Sequence, residues 1–281
     1  MSESMSLFKD LTQSIYFSRP PLVFQGNKKN FLKPFLKVLH SYTITPNTIF
    51  VDVFGGSGFL SHHIKSNYPQ NRVIYNDFDD FATRLKIAPV TEKIRAKLCE
   101  IVGDNKDKQK RLSNEAREAI VSYLQSLDEK DIDCIQLSSY LCFSGNYYKD
   151  LKKLIPNIKY DHLSRSPIVT TGYLAGVERV QKDYKELLDE FKDDENAFFV
   201  FDPPYLQTNT DAYTQHFRLK SFLGLNKFFT THKNCIFFSS TRSDCAEFFE
   251  WYQRELNFNA HIKTFKTSTN DAKDTDILFY K

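Results

Sequence analysis

No apolar run in the sequence reaches the length of a membrane span, which argues against a transmembrane helix. The opening residues, MSESMSLFKDLTQS, lack the basic-then-apolar form of a secretory leader. Five cysteines, Cys99, Cys134, Cys142, Cys235 and Cys245, contain no CxxC pair, and an odd number makes a poor disulfide framework. Seven histidines show no HxxxH or similar spacing, so no metal site is expected. These absences together predict a protein of the reducing cytosol, with no membrane association. The excess of one charge over the other is also small: the net charge is +3, too little to announce a nucleic-acid partner unaided. What remains is ordinary globular material, 281 residues with 41% hydrophobic and 26% charged, enough to bury a substantial core.

Two alternations of strand and helix stand out. TIFVDVF, residues 48–54, reads as a buried strand, GGSG as a turn, FLSHHIKSNY as a helix and RVIYND, 72–77, as a second strand ending in acids. This is the strand, glycine turn, helix, strand, acid order of a nucleotide-type α/β unit. Residues 84–127 are mainly helical in pattern, and a loop-rich piece follows to about Thr171. The α/β pattern resumes with VERVQ, residues 177–181, as a strand, then the helical DYKELLDEF, the strand AFFVF and the strand NCIFFSS, 234–240. A helical CAEFFEWYQREL follows, and FNAHIKTF and TDILFYK are two consecutive strands, which predicts an antiparallel pair at the sheet edge. The expected architecture is an α/β Rossmann-like sheet with that antiparallel pair. Its catalytic domain is discontinuous, 1–95 and 172–281, with an inserted, mainly helical domain at 96–171.

Two short stretches carry chemistry. In VDVFGGSGFL, Gly55, Gly56 and Gly58 allow a sharp turn and close approach of a ligand. No GK[ST] follows, so this is not a phosphate-cradling loop, and Ser61 stands where the dinucleotide fingerprint wants Gly or Ala. Asp77, at the end of the next strand, sits where an acid accepts hydrogen bonds from a ribose diol. S-adenosylmethionine has that diol and no phosphate; the alternative is a purely structural turn. In AFFVFDPPYLQ, Pro203 and Pro204 lack N–H groups and Asp202 adds carboxylate oxygens beside the flat ring of Tyr205. Such an acceptor-rich corner suits an aromatic amine, whose hydrogens the acid and the Pro203 carbonyl receive while the ring packs on Tyr205. The carboxylate also stabilises positive charge developing on that nitrogen. Between the two stretches, NYYKDLKKLIPNIKYDHLSR places Tyr147, Lys149, Lys152, Lys153 and Arg165 in a basic, aromatic run. That composition suits phosphate contacts and base stacking, with a solvated helix face as the alternative.

With these residues in place the chain resembles the Dam-type DNA adenine methyltransferases, from about Val23 onward and with the motifs in that family's order. VFQGNKK is similar to the family's N-terminal cofactor motif, which implies cofactor contacts for Phe24, Gly26 and Lys28, although Asn27 replaces a glycine. DVFGGSG resembles the DxFxGxG turn around the methionine moiety, and so implicates Asp52 and Phe54 with the three glycines. Asp77 lies in an ND pair like the one that holds the ribose. Asp183 falls near the cofactor's adenine by the match of VERVQKDYKELL, and Asp202 near the methionine end. SSYLCFSGNYYK is similar to a YLNxxxFNGLxR segment, with Ser144 and Asn146 as departures. The resemblance implies that S-adenosyl-L-methionine is the cofactor and double-stranded DNA the partner. The exocyclic amine of a flipped adenine is then the substrate, and residues 96–171 are a target-recognition domain. It leaves room for a restriction endonuclease partner in a restriction-modification pair. Cytosine as the target base, RNA or a glutamine amide as substrate, and a non-catalytic DNA-binding relative are the competing readings.

Overall fold

A computed structural model describes residues 16–26, 28–204, 219–240, 245–256, 260–265 and 276–281. Tyr205, singled out in the sequence for stacking, lies outside the described residues, as does Asn27. The chain divides into two compact units. One comprises 1–20, 26–79 and 172–281, the other 21–25 and 80–171.

The first unit is a seven-stranded sheet. Its strands are β1 (Ile49–Asp52), β2 (Arg72–Asn76), β3 (Glu178–Val180), β4 (Ala197–Phe201), β5 (Cys235–Ser240), β6 (His261–Phe265) and β7 (Asp276–Tyr280). They lie in the order β3-β2-β1-β4-β5-β7-β6. The pairings among β1 to β5 are parallel, and β7 pairs antiparallel with both β5 and β6. The consecutive C-terminal strands therefore pair as expected, but β7 lies inside the sheet and β6 forms the edge on that side, opposite β3.

The continuous apolar strands are explained by cover on both faces. Successive side chains of a strand point to opposite faces, and β4 obeys this strictly. Phe199 and Phe201 pack into a cluster with Leu187, Phe222, Phe229 and Phe249, whereas Phe198 and Val200 join Phe35, Leu39, Leu60 and Ile64. The helices supplying these residues are α1 (Leu32–Leu39) and α2 (Phe59–Asn67) on one face. On the other lie Tyr184–Phe191, Leu219–Thr231 and Cys245–Leu256.

The second unit has its own core, with Ile94, Leu98, Ile120, Leu124, Leu137, Leu141 and Leu154 buried together. Its longest helix is α3 (Phe81–Val102), followed by α4 (Asn114–Gln125) and α5 (Cys134–Leu141). The helical stretch expected over 84–127 is thus interrupted. Gly103, at φ 60°, ends α3 with its N–H on the Cys99 carbonyl, and the polar run that follows carries no helix until Ser113 caps α4.

Candidate active site

Strand order reverses between β1 and β4: the chain leaves β1 for β2 on one side, while β4 lies on the other. Open α/β sheets place their ligands at the carboxyl ends of the strands flanking such a switch point. Asp52 is the last residue of β1, and Asp202 follows the last residue of β4. The register sets Asp52 opposite Val200, so parallel strands bring both acids to the same end of the sheet.

The Asp52 side chain is buried. Its Oδ2 accepts from the Ser61 hydroxyl at 2.6 Å, and its Oδ1 has no hydrogen-bond partner among the described residues. Burial pushes the carboxyl up to about 7; the Ser61 hydroxyl opposes this, Asp202 adds to it, and Lys28 opposes it. Ser61, a departure from the dinucleotide fingerprint, is here the hydroxyl that holds the acid.

Asp202 has a partner that the sequence did not indicate. Lys28 Nζ lies 2.7 Å from its Oδ2, with the two side chains only 11% and 15% exposed. The same ammonium donates to the Gly26 carbonyl at 3.0 Å and sits over the rings of Phe31 and Phe238, at 5.6 and 5.9 Å. Gly26 itself is left-handed, with a φ of 78°. An ammonium in contact with Asp202 shows that its oxygens are placed to receive N–H groups.

The glycine turn links β1 to α2. A Cβ on Gly55 would lie 2.2 Å from the ring of Tyr75, itself fully buried. Replacing Gly55 by Ala therefore forces Tyr75 to move and is expected to destabilise the chain by about 2 kcal/mol. Thermal unfolding of G55A against wild type checks this, and an unchanged midpoint would show that the turn has slack. Tyr75 also donates its hydroxyl to the Gly56 carbonyl at 2.6 Å. Asn76 donates to the Val53 and Lys182 carbonyls, tying the ends of β1 and β2 to the loop after β3. Phe54, next in the turn, packs on the Tyr184 ring at 5.4 Å.

Asp77 is fully buried and paired with Arg179 of β3, Nε to Oδ2 at 2.7 Å. Any diol at this strand end therefore meets an acid–guanidinium pair rather than a bare acid. Asp183 caps the helix Tyr184–Phe191 by accepting from the Lys185 N–H. Phe24 belongs to the second unit, where its ring meets Phe81 edge-on at 5.8 Å. In that unit Lys149, Lys152 and Lys153 are exposed and Tyr147 is half-buried. Lys152 and Lys153 belong to the short helix Leu151–Leu154, which Asp150 caps. Arg165 donates to Asp161 and to the Gly103 carbonyl. Among the described residues no cluster of His, Cys, Asp and Glu could hold a metal ion, and no helix is long and apolar enough to cross a membrane.

Lys28 and Arg179 were invisible as partners because their acids lie far away in the chain. Ser61 was visible only as a mismatch. No sequence signal distinguished any of the three as a partner.

No family model matches the chain. It is 33% identical, over an alignment of 286 positions, to a protein of Haemophilus influenzae (strain ATCC 51907 / DSM 11121 / KW20 / Rd) named "Putative methyltransferase". The alignment covers 97% of this chain and 95% of the relative. The mostly parallel sheet is consistent with a Rossmann-like methyltransferase fold, and at this identity and coverage the chain belongs to that methyltransferase family.

Proposed function

We propose that the protein transfers the methyl group of S-adenosylmethionine to the exocyclic amino group of adenine in duplex DNA. The observation that carries this reading is the placement of Asp202, an acceptor at the switch point already engaged with a nitrogen cation.

The residues at the switch point fit the cofactor. Among the described residues the buried Oδ1 of Asp52 has no partner and no acceptor takes the N–H of Gly56 or Ser57. An acceptor beside two donors suits an amino-acid end with its ammonium and carboxylate. The Asp77–Arg179 pair is assigned to the ribose, and Lys28 and the glycine turn to the methionine end. When bound, the cofactor supplies an electrophilic methyl group on a sulfonium. The chain's own part is alignment and electrostatics. Asp202 and the Pro203 carbonyl receive the two amine hydrogens, which aims the nitrogen lone pair away from them. Asp202 then stabilises the positive charge that develops on nitrogen, and the methylated amine becomes neutral by losing one of its two hydrogens as a proton to solvent. Lys28 occupies this acceptor in the described structure, so the substrate amine takes a place that a protein cation now holds.

Residues 96–171 are assigned to target recognition, with Lys149, Lys152, Lys153, Arg165 and Tyr147 as the DNA contacts. Replacing Lys152 and Lys153 together by Ala is expected to weaken duplex binding and to lower the salt slope of log K by about 2. Binding measured between low and moderate salt checks this, and an unchanged slope places both lysines away from DNA.

The activity itself is tested by incubating the protein with S-adenosylmethionine and mixed-sequence duplex DNA, digesting to nucleosides and weighing the products. Deoxyadenosine methylated on its amine is expected. Methylcytosine would keep the chemistry and change the base, whereas no product together with no cofactor binding would remove the reading.

A further inference from the structure

The loop of residues 172–177 contains three left-handed residues, Gly172 at φ 81°, Leu174 at 60° and Gly176 at 74°. Glycine adopts this region freely, but leucine does so at a cost, and such a residue persists only where its surroundings over-determine it. The surroundings of Leu174 are the glycine turn. Its N–H donates to His62 Nδ1 at 3.3 Å, and its side chain fills the space over Gly58, where a Cβ would come within 2.7 Å of its Cδ2. Neighbouring Tyr173 is buried and donates its hydroxyl to the Ser57 carbonyl at 2.9 Å. The Tyr173 ring is fixed in turn by His62 and Phe17, at centroid distances of 5.0 and 4.9 Å.

Two phenols thus hold two consecutive carbonyls of the turn. Tyr75 takes Gly56 and Tyr173 takes Ser57, while the Gly58 N–H bonds the Gly55 carbonyl at 2.7 Å. A trans peptide points its N–H opposite its carbonyl, so pinning the Gly56 carbonyl aims the Ser57 N–H, and pinning the Ser57 carbonyl fixes the following peptide. Asp52 and its Ser61 partner lie at the two ends of this same segment.

We infer that Tyr173, backed by Leu174, is a positioning residue for the amino-acid end of the cofactor, acting through the Ser57–Gly58 peptide that closes the turn onto the Gly55 carbonyl, without touching the cofactor itself. The inference rests on the proposed use of S-adenosylmethionine. Nothing in the catalytic motifs points to residues 172–177, and a stability role alone would leave ligand selectivity unchanged.

The test uses the full chain and two ligands, S-adenosylhomocysteine and 5′-methylthioadenosine, which share the adenosine and differ in the amino-acid end. Calorimetric affinities are measured for wild type, Tyr173→Phe and Leu174→Ala, each confirmed folded by circular dichroism. Both variants are expected to bind S-adenosylhomocysteine about tenfold more weakly while holding 5′-methylthioadenosine as wild type does. Should Y173F fail to fold, L174A carries the same expectation. Equal losses for both ligands, or no loss for either, would overturn the positioning role alone. Wild-type protein that binds neither ligand would instead remove the cofactor reading on which the inference stands.

Discussion

Replacing Asp202 by Asn is expected to leave the chain folded and able to bind S-adenosylhomocysteine while methyl transfer falls by about 10³-fold or more. The amide keeps an oxygen acceptor and the shape of the side chain, but loses the negative charge that opposes the developing cation. Asp202→Ala removes the acceptor as well and is expected to abolish transfer. It has a second effect that arises from the ion pair. Lys28 is largely buried against Asp202 and two aromatic rings, so truncating its partner leaves an ammonium short of its counter-charge. Losing one member of such a pair costs about 3 kcal/mol, and D202A should melt correspondingly early. Combining it with Lys28→Met removes the stranded charge and is expected to restore the melting temperature without restoring activity. Transfer rates and melting curves of the three variants settle both points. Substantial transfer by D202A would end its assignment to the chemistry, and an early-melting double mutant would show that Lys28 is not the source of the instability.

The second large effect is a dependence on pH set by Asp52. Its carboxyl is raised from 3.8 to about 7, chiefly by burial, so the folded chain holds a proton there that the unfolded chain gives up near pH 4. The associated stability is therefore complete below about pH 4 and declines as pH rises to about 7, by about 4 kcal/mol over that window. Asp52→Asn has nothing to ionise and still offers Ser61 an acceptor, so its melting temperature should lack this decline. Ligand binding runs the other way. An ammonium meeting the Asp52 oxygen favours the ionised acid, so affinity for S-adenosylhomocysteine should rise up to tenfold per pH unit below 7 and level off above it. Calorimetry from pH 5.5 to 8.5 on wild type and D52N measures both trends. A D52N variant that keeps the wild-type slope would assign the dependence to another group.

The strands were legible because burial on both faces leaves a plain signature. AFFVF and CIFFSS, both wholly buried, stand out as uninterrupted runs between polar segments. Their order was less legible, since the placement of β7 between β5 and β6 depends on hydrogen bonds between segments far apart in the chain. The mainly helical stretch over 84–127 was also legible, and it folds as two helices. Gly103 and the polar residues after it mark the break between them. The two acids of the candidate site were marked by their neighbours, glycines for Asp52 and prolines for Asp202. What holds them was not. Lys28 was marked by the resemblance as a cofactor contact, and only folding reveals that it lies against the acid after β4. The left-handed Leu174 was beyond reach for a different reason: a leucine in a glycine-bounded loop gives no hint of its φ.

The pairing of β1 with β4 also governs when the protein becomes itself. Ile49 is partnered by Ala197, so the strand bearing Asp52 must wait for a neighbour made far later. At ordinary rates of synthesis that interval is about ten seconds. Throughout it, Phe50 and Val51 line a strand with one edge unsatisfied, and the carboxylate after β4 does not yet exist. Long-range parallel pairings of this kind fold slowly. The nascent chain thus passes through a period in which it is sticky and inert, and the two acids of the site meet only at its end.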